Sequence, residues 1–153
     1  MSAQLKDEPL LRPMRAEDVE RVVRVERTIY EFPWTRGNFL DSIRARYHCG
    51  VYELERTLVG YGVVMIGAGE AHLLNLSIAA GWQRRGYGRR LLECFLDLAR
   101  SRGAGSMVLE VRPSNPRARR IYERAGFRVI GMRPGYYPAA NGREDAVVME
   151  RTL

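Results

Sequence analysis

Histidine and cysteine are scarce: the 153 residues include two of each. Cys49 and Cys94 have no close partner and no histidine-rich neighbourhood, so the chain offers neither metal-ligand spacing nor a disulfide framework, and no metal is expected. Both read as reduced, mostly buried thiols. Long apolar runs are also missing. The apolar runs are short, stretches such as Val63 to Ile66 and Met107 to Leu109, whereas a membrane span needs about 20 apolar residues in succession. No membrane association is expected. The stretch Met1 to Pro9 carries Lys6, Asp7 and Glu8 and lacks the apolar segment of a secretory leader. A cytoplasmic location is the expectation. There is no internal repeat and no low-complexity linker, and the expectation is one domain spanning 1–153.

Positive charge is what the chain has in excess. Lys and Arg outnumber Asp and Glu by 25 to 18, a formal net charge of +7. Such a balance favours anionic company: RNA, a ribosomal particle, or a small molecule bearing several phosphates. A solvated, arginine-rich surface explains much of the same excess, and composition does not separate these.

Hydrophobic periodicity supplies the organisation. Leu10 to Pro13 reads as a first strand. Val19, Val22, Val23, Glu26, Ile29 and Tyr30 recur at helical spacing. Pro33 and Gly37 are expected to interrupt that helix, with a second one from Phe39 to Arg46. Tyr47 to Leu54 and Leu58 to Ile66 read as a hairpin, and Ala71 to Ile78 as a third strand after the turn at Gly67-Ala68-Gly69. A helix from about Gly88 to Arg102 buries Leu91, Leu92, Phe95, Leu98 and Ala99 on one face. Ser106 to Val111 reads as a fully buried strand, and Pro116 opens a helix to Ala125 that Gly126 stops. Phe127 to Met132 and Ala146 to Leu153 close the order as strands, joined by a long turn containing Tyr136-Tyr137-Pro138 and Asn141-Gly142. The expected fold class is α/β (α+β), a mixed sheet of about seven strands flanked on both faces by about four helices.

The most specific stretch is Gln83-Arg84-Arg85-Gly86-Tyr87-Gly88-Arg89-Arg90, between a strand and an amphipathic helix. Glycines permit a tight turn whose amides point into one concavity, and the following helix adds unpaired N–H groups and a positive dipole end. Such a loop suits a pyrophosphate, although an arginine-rich solvated turn has the same composition. It lacks the Gly-Lys-Ser/Thr ending of a P-loop and the third glycine of a dinucleotide fingerprint, which disfavours a Mg-nucleotide.

In this position Gln83-x-x-Gly86-x-Gly88 resembles the Q/R-x-x-G-x-G/A signature of the GNAT acetyltransferase superfamily. The resemblance extends over nearly the whole chain, since the element order is also that family's order. It departs at Ala80, where a proline often precedes the signature, and this implies slightly looser loop geometry. The resemblance implies that acetyl-CoA is the co-substrate, its pyrophosphate held by Gln83, Arg84, Arg85, Gly86, Tyr87, Gly88 and Arg89. Its pantetheine arm is then expected to pair with Leu76, Ser77 and Ile78. Glu110 to Pro116, with Tyr122 and Gly126-Phe127, matches the family's second region, which implies that Asn115 contacts the cofactor and Tyr122 faces its sulfur. Without the resemblance, Asn115-Pro116 reads as a helix start and Tyr122 as a half-buried packing residue.

Within the superfamily the chain looks like the RimI type, bacterial enzymes that acetylate the N-terminal alanine of the eighteenth small-subunit ribosomal protein. Phe32-Pro33-Trp34, Leu109-Glu110-Val111-Arg112, and Tyr136-Tyr137-Pro138 through Gly142-Arg143-Glu144-Asp145-Ala146 to Met149 carry that likeness. It implies a protein N-terminus as partner, from a ribosomal protein, gripped by Phe32, Trp34, Tyr136 and Tyr137. Phe32 and Trp34 read equally as core residues capping the first helix, and Arg143 to Asp145 as a charged turn. The family pattern places a general base on Glu110, a general acid on Tyr122, and oxyanion-stabilising amides near Ile78. Two rivals remain at this stage. One is a GNAT enzyme acting on lysines or on a small amine; polyamines and aminoglycosides would favour a more acidic chain. The other is a non-enzymatic RNA- or ribosome-binding module, although no stable nucleic-acid partner is expected.

Overall fold

Residues 8–153 are described by a computed structural model; Met1 to Asp7, most of the stretch read above for a leader, lie outside the described residues. The strands form one seven-stranded sheet in the order β1-β2-β3-β4-β5-β7-β6. These are β1 (Leu10–Pro13), β2 (His48–Leu54), β3 (Thr57–Gly67), β4 (Glu70–Ile78), β5 (Ser106–Val111), β6 (Arg128–Ala139) and β7 (Gly142–Thr152). Among the described residues four α-helices accompany them: α1 (Val19–Ile29), α2 (Arg36–Arg44), α3 (Tyr87–Ser101) and α4 (Pro116–Arg124). The chain divides into two compact units, one running to Val64 with Asn75–Phe95, the other comprising Met65–Leu74 and Leu96–Leu153. β3, β4 and α3 contribute residues to both.

In the first unit an ion cluster anchors the start of α1. Arg12 grips both oxygens of Asp18 at 2.8 Å and donates Nε to Glu53 at 2.6 Å, while Arg21 donates to the other Glu53 oxygen at 2.5 Å. Asp18 also accepts the Arg15 N–H at 2.8 Å. Bidentate pairing of this kind holds the Asp18 carboxyl below its ordinary range. From there α1 turns Val19, Val22, Val23 and Glu26 inward.

The second helix begins at Arg36, three residues before the expected Phe39, and Gly37 lies within it. The reason is a cap. Thr35 Oγ1 accepts the Asn38 N–H at 3.1 Å, and Asn38 Oδ1 accepts the Thr35 N–H at 2.9 Å. Trp34 packs on Phe39 with ring centroids 5.1 Å apart, a hydrophobic staple across the cap. One glycine costs such a helix about 1 kcal/mol, which the cap offsets.

Two glycines of β3 let other backbone approach. A Cβ on Gly60 would stand 2.6 Å from the Ser77 carbonyl, and one on Gly62 would stand 2.7 Å from the Asn75 carbonyl. Side chains at either position would push β4 away.

In the second unit β5 runs antiparallel to β7, from Ser106↔Thr152 to Val111↔Val147, and parallel to the first half of β4, from Glu70↔Ser106 to Leu73↔Leu109. The sequence predicts full burial of β5, but its burial alternates: Met107, Leu109 and Val111 are buried, and Ser106, Val108 and Glu110 take the other face. A strand with one covered face shows period-two burial whatever its hydrophobic content. The expected long turn after Met132 is also a strand. β6 and β7 form a hairpin that pairs as far as Ala139↔Gly142, with β6 bulged at two places. Ile130 is an extra residue opposite the Met149–Val148 step, and Pro134, Gly135 and Tyr136 together oppose Asp145. Prolines and a glycine that signal a loop in sequence are tolerated at bulges.

Candidate active site

The glycine loop belongs to the first unit. Arg84 and Gly86 both adopt left-handed backbone, with φ of +63° and +87°. A Cβ on Gly86 would meet open space, so backbone conformation and not crowding selects glycine there. Gln83 does not point outward freely: its amide donates to the Ile78 carbonyl at 2.9 Å and ties the loop to the end of β4. Arg85 and Arg90 lie over the rings of Trp82 and Tyr87, which pack edge-on at 5.6 Å, and Arg89 pairs with Glu93 at 3.2 Å. α3 starts at Tyr87. Its first N–H groups therefore lack intrahelical acceptors directly after a glycine turn, the arrangement that receives a phosphate anion.

β4 alternates strictly as it approaches the loop. Asn75 and Ser77 are buried, while Leu76 and Ile78 occupy the other face. Ser77 is thus occupied inside: its hydroxyl donates to Asn75 Oδ1 at 2.7 Å and shares a 2.7 Å hydrogen bond with the Tyr30 hydroxyl. Only its backbone remains to meet a ligand. Tyr30 is partly exposed as a residue, yet burial of its phenol pushes it up to about 12.

Sequence reasoning placed Glu26 among apolar positions without a role. Its side chain is the centre of a sealed network. Oε1 accepts from Tyr61 Oη at 2.7 Å and Asn75 Nδ2 at 3.5 Å; Oε2 accepts the Trp34 N–H at 2.9 Å. Burial raises the Glu26 carboxyl above the usual range despite these donors. A carboxylate on the apolar stripe of a helix was the signal, because such a residue needs partners wherever it goes in. The pair Phe32 and Trp34 divides: Trp34 is half-buried and staples the start of α2, the second helix and not the first, and Phe32 is exposed.

The second unit holds Glu110, Tyr122, Asn115, Tyr136 and Tyr137. Glu110 projects from the less buried face of β5, yet its carboxylate is only 4% exposed. His72 Nε2 lies 2.6 Å from Oε2. Arg133 Nε lies 3.2 Å from Oε1 as an ion pair but off the line of a hydrogen bond, so Oε1 is a buried oxygen with no hydrogen-bond partner. His72 escaped the sequence reading because a parallel register leaves no local trace in sequence.

Tyr136 and Tyr137 stand edge to face at 4.8 Å, with Arg133 over the first and Arg112 over the second. Burial raises both phenols, and the charge of Glu110 adds to this. The three charged residues after Asn141-Gly142 are not an idle turn. Arg143 Nε donates to the Gly135 carbonyl at 2.6 Å and its terminal nitrogen to the Tyr136 carbonyl at 3.0 Å, while Asp145 accepts the Gly135 N–H at 2.8 Å. Glu144 accepts from Ser114 N and Oγ, each at 2.9 Å, and from Arg112 at 3.1 Å, which lowers its carboxyl. Arg143 and Asp145 clamp the bulge that precedes Tyr137 and contains Tyr136, and Glu144 ties β7 to the loop after β5.

Tyr122 is buried and packs edge-on against Phe127 at 5.8 Å. Asn115 caps α4, accepting the Ala118 N–H at 3.2 Å ahead of Pro116. Its side-chain oxygen is thereby engaged, leaving its amide nitrogen for other contacts. Among the described residues no group of three or more histidine, cysteine, aspartate or glutamate side chains is placed to hold a metal, and no helix is long and apolar enough to cross a membrane.

The Acetyltransferase (GNAT) family pattern matches residues 19–127. The [ribosomal protein bS18]-alanine N-acetyltransferase of Salmonella typhimurium is 34% identical over 132 residues, 86% of this chain and 89% of that protein. The crystal structure of the ribosomal-protein-S18-alanine N-acetyltransferase from Escherichia coli superposes with a TM-score of 0.87 at 30% identity, covering 95% of this chain and 94% of the other. Ard1 from Thermoplasma volcanium gives a TM-score of 0.84 at 29% identity, with 95% and 98% covered.

Proposed function

This chain belongs to the GNAT acetyltransferase family, and from that premise we propose that it moves the acetyl group of acetyl-CoA to the N-terminal α-amine of a protein, above all the N-terminal alanine of ribosomal protein bS18. The observation that carries the chemical reading is Glu110: a carboxylate almost closed to solvent, with one oxygen that has no hydrogen bond and only the off-axis Arg133 ion pair. A ribosomal-protein substrate puts the enzyme in the cytoplasm. We read both compact units as one acetyltransferase domain, since the family match runs through each and three elements are shared.

In this reading the amides and arginines from Gln83 to Arg89 receive the pyrophosphate, the backbone of Leu76 to Ile78 receives the pantetheine arm, and Asn115 adds a contact through its amide nitrogen. An α-amine has an ordinary pKa of about 7.7 to 8.0, so at neutral pH much of it carries a proton that must leave before attack. Glu110 Oε1 takes that proton, directly or through one water. The freed lone pair forms a C–N bond to the thioester carbonyl, the C–S bond breaks, and Tyr122 protonates the departing thiolate. The phenol is restored by the surplus proton on the acylated nitrogen. General acid–base assistance of this kind is worth roughly 100- to 10,000-fold. Phe32, Tyr136 and Tyr137 contact the first residues of the peptide, and Trp34 holds the Phe32 segment by its staple.

The test is product mapping. The protein is incubated with acetyl-CoA and, in separate reactions, an alanine-starting peptide, an N-terminally blocked peptide with one lysine, and spermidine. The expected product is the first peptide acetylated on its α-amine, localised by fragment masses. Faster acetylation of the lysine or of spermidine would overturn the substrate assignment.

A further inference from the structure

We propose that His72 is the positioning residue of the base: it holds Glu110 Oε2 so that Oε1 is presented to the amine, and it acts on the reaction only through Glu110. The inference rests on the reading of Glu110 as base.

The two side chains meet because of register. β4 and β5 are parallel neighbours, with His72 opposite Val108, so Glu110 follows two residues further along on the same face. Adjacent strands lie about 4.8 Å apart, and a diagonal of this kind is within reach of long side chains. Both residues occupy the face away from buried Ala71, Leu73, Met107 and Leu109. The imidazole therefore has no packing task in that layer, and it is a quarter exposed.

The geometry divides the labour of the two carboxylate oxygens. Oε2 has the imidazole at 2.6 Å, in the range of a charge-assisted hydrogen bond. Oε1 has no hydrogen bond in a shell where buried oxygens ordinarily have one. The last torsion of a glutamate is broad, so an untethered carboxylate would exchange its oxygens. It would also turn toward Arg133, the neighbouring cation, which is mostly exposed and approaches Oε1 off axis. A donor fixed on Oε2 prevents both motions. The ionisable groups that face Glu110 from β6 are Arg133, Tyr136 and Tyr137, and from β4 His72.

The experiment uses the full chain with acetyl-CoA and an alanine-starting peptide. His72→Phe keeps a flat ring and removes the donor; kcat is expected to fall about tenfold, with the acetyl-CoA KM unchanged. His72→Gln, whose amide reaches the same oxygen, should recover most of the rate. In a Glu110→Gln background His72→Phe should add no further loss. If His72→Phe does not fold, His72→Asn, with its amide out of reach of Oε2, is read in the same way. Wild-type kcat in folded His72→Phe, equal loss in the Gln and Phe variants, or additive losses with Glu110→Gln would each overturn the proposal. Failure of the underlying reading is distinguishable: in that case Glu110→Gln itself keeps wild-type kcat.

Discussion

Glu26 and Glu110 are both glutamates closed off from solvent, one in each compact unit, and they are finished differently. Three donors saturate Glu26, from Tyr61, Asn75 and the Trp34 backbone. Glu110 has a single hydrogen bond, from His72, and an oxygen with none. A buried carboxylate whose lone pairs are satisfied is a structural anchor, since any rearrangement breaks bonds already made. One left incomplete, with Arg133 beside it as an off-axis ion pair, retains capacity to accept from a substrate or water. The hydrogen-bond inventory around each acid, more than its depth, separates scaffold from chemistry.

The comparison breaks most visibly at Glu110. Glu110→Gln keeps the shape and removes the basicity, so kcat for an alanine-starting peptide should fall roughly 100-fold or more while the melting temperature stays close to wild type. Steady-state kinetics beside a thermal melt checks both halves. Wild-type kcat would move the base elsewhere.

Glu26→Ala should show the opposite profile. Stripping the acceptor from a buried tyrosine hydroxyl, an asparagine amide and a backbone N–H costs about 3 kcal/mol, a drop of roughly 6 to 12 °C in Tm for a chain of this length. The pH dependence has a definite sign. Burial raises the Glu26 carboxyl in the folded state, so the folded protein holds that proton to higher pH than the unfolded chain does. The contribution of wild-type Glu26 is fully present in acid, below the ordinary value of 4.5, and is lost as pH rises through the folded pKa. The stability gap between wild type and Glu26→Ala should therefore be widest in acid and narrow towards neutrality in denaturant titrations. A variant that melts like wild type but loses kcat would reverse the roles of the two acids.

The smallest effect sharpens the second unit alone. Arg143→Ala frees the carbonyls of Gly135 and Tyr136, loosening the bulge without touching Glu110. The peptide KM should rise by roughly threefold, less than 1 kcal/mol, with the acetyl-CoA KM unchanged. An equal rise in both would place the clamp in general folding and not in peptide recognition.

How much of this was legible in the sequence follows the same division. The loop from Gln83 to Gly88 could be read because its task is done by backbone, and backbone that must turn sharply selects glycine. α1 and α3 could be read because a single covered face imposes a 3.6-residue period, and α4 because Pro116 opens it and Gly126 stops it. Two things could not. The outer half of the β6–β7 hairpin, beyond Met132, was hidden by Pro134, Gly135 and Pro138, which are turn residues by composition but occupy or flank bulges held by Arg143 and Asp145. The pairing of His72 with Glu110 was hidden because 38 residues separate them and only the β4–β5 register brings them together. Glu26 lay between these cases: its apolar neighbours at helical spacing showed that it went inside, and nothing in the sequence showed what would meet it there.

The doubly bulged β6 has one further consequence. It is the last strand of the sheet, and Val129, Ile130 and Met132 are about half exposed along it. A straight edge with such side chains is a template on which a second molecule can add a strand and begin to aggregate. Here the extra residue at Ile130 and the three residues opposing Asp145 break the row of backbone donors and acceptors twice, and Pro134 removes a donor altogether. Arg128 and Arg133 add like charges that repel an identical edge. The distortion that presents Tyr136 and Tyr137 thus also makes this edge a poor template for an added strand.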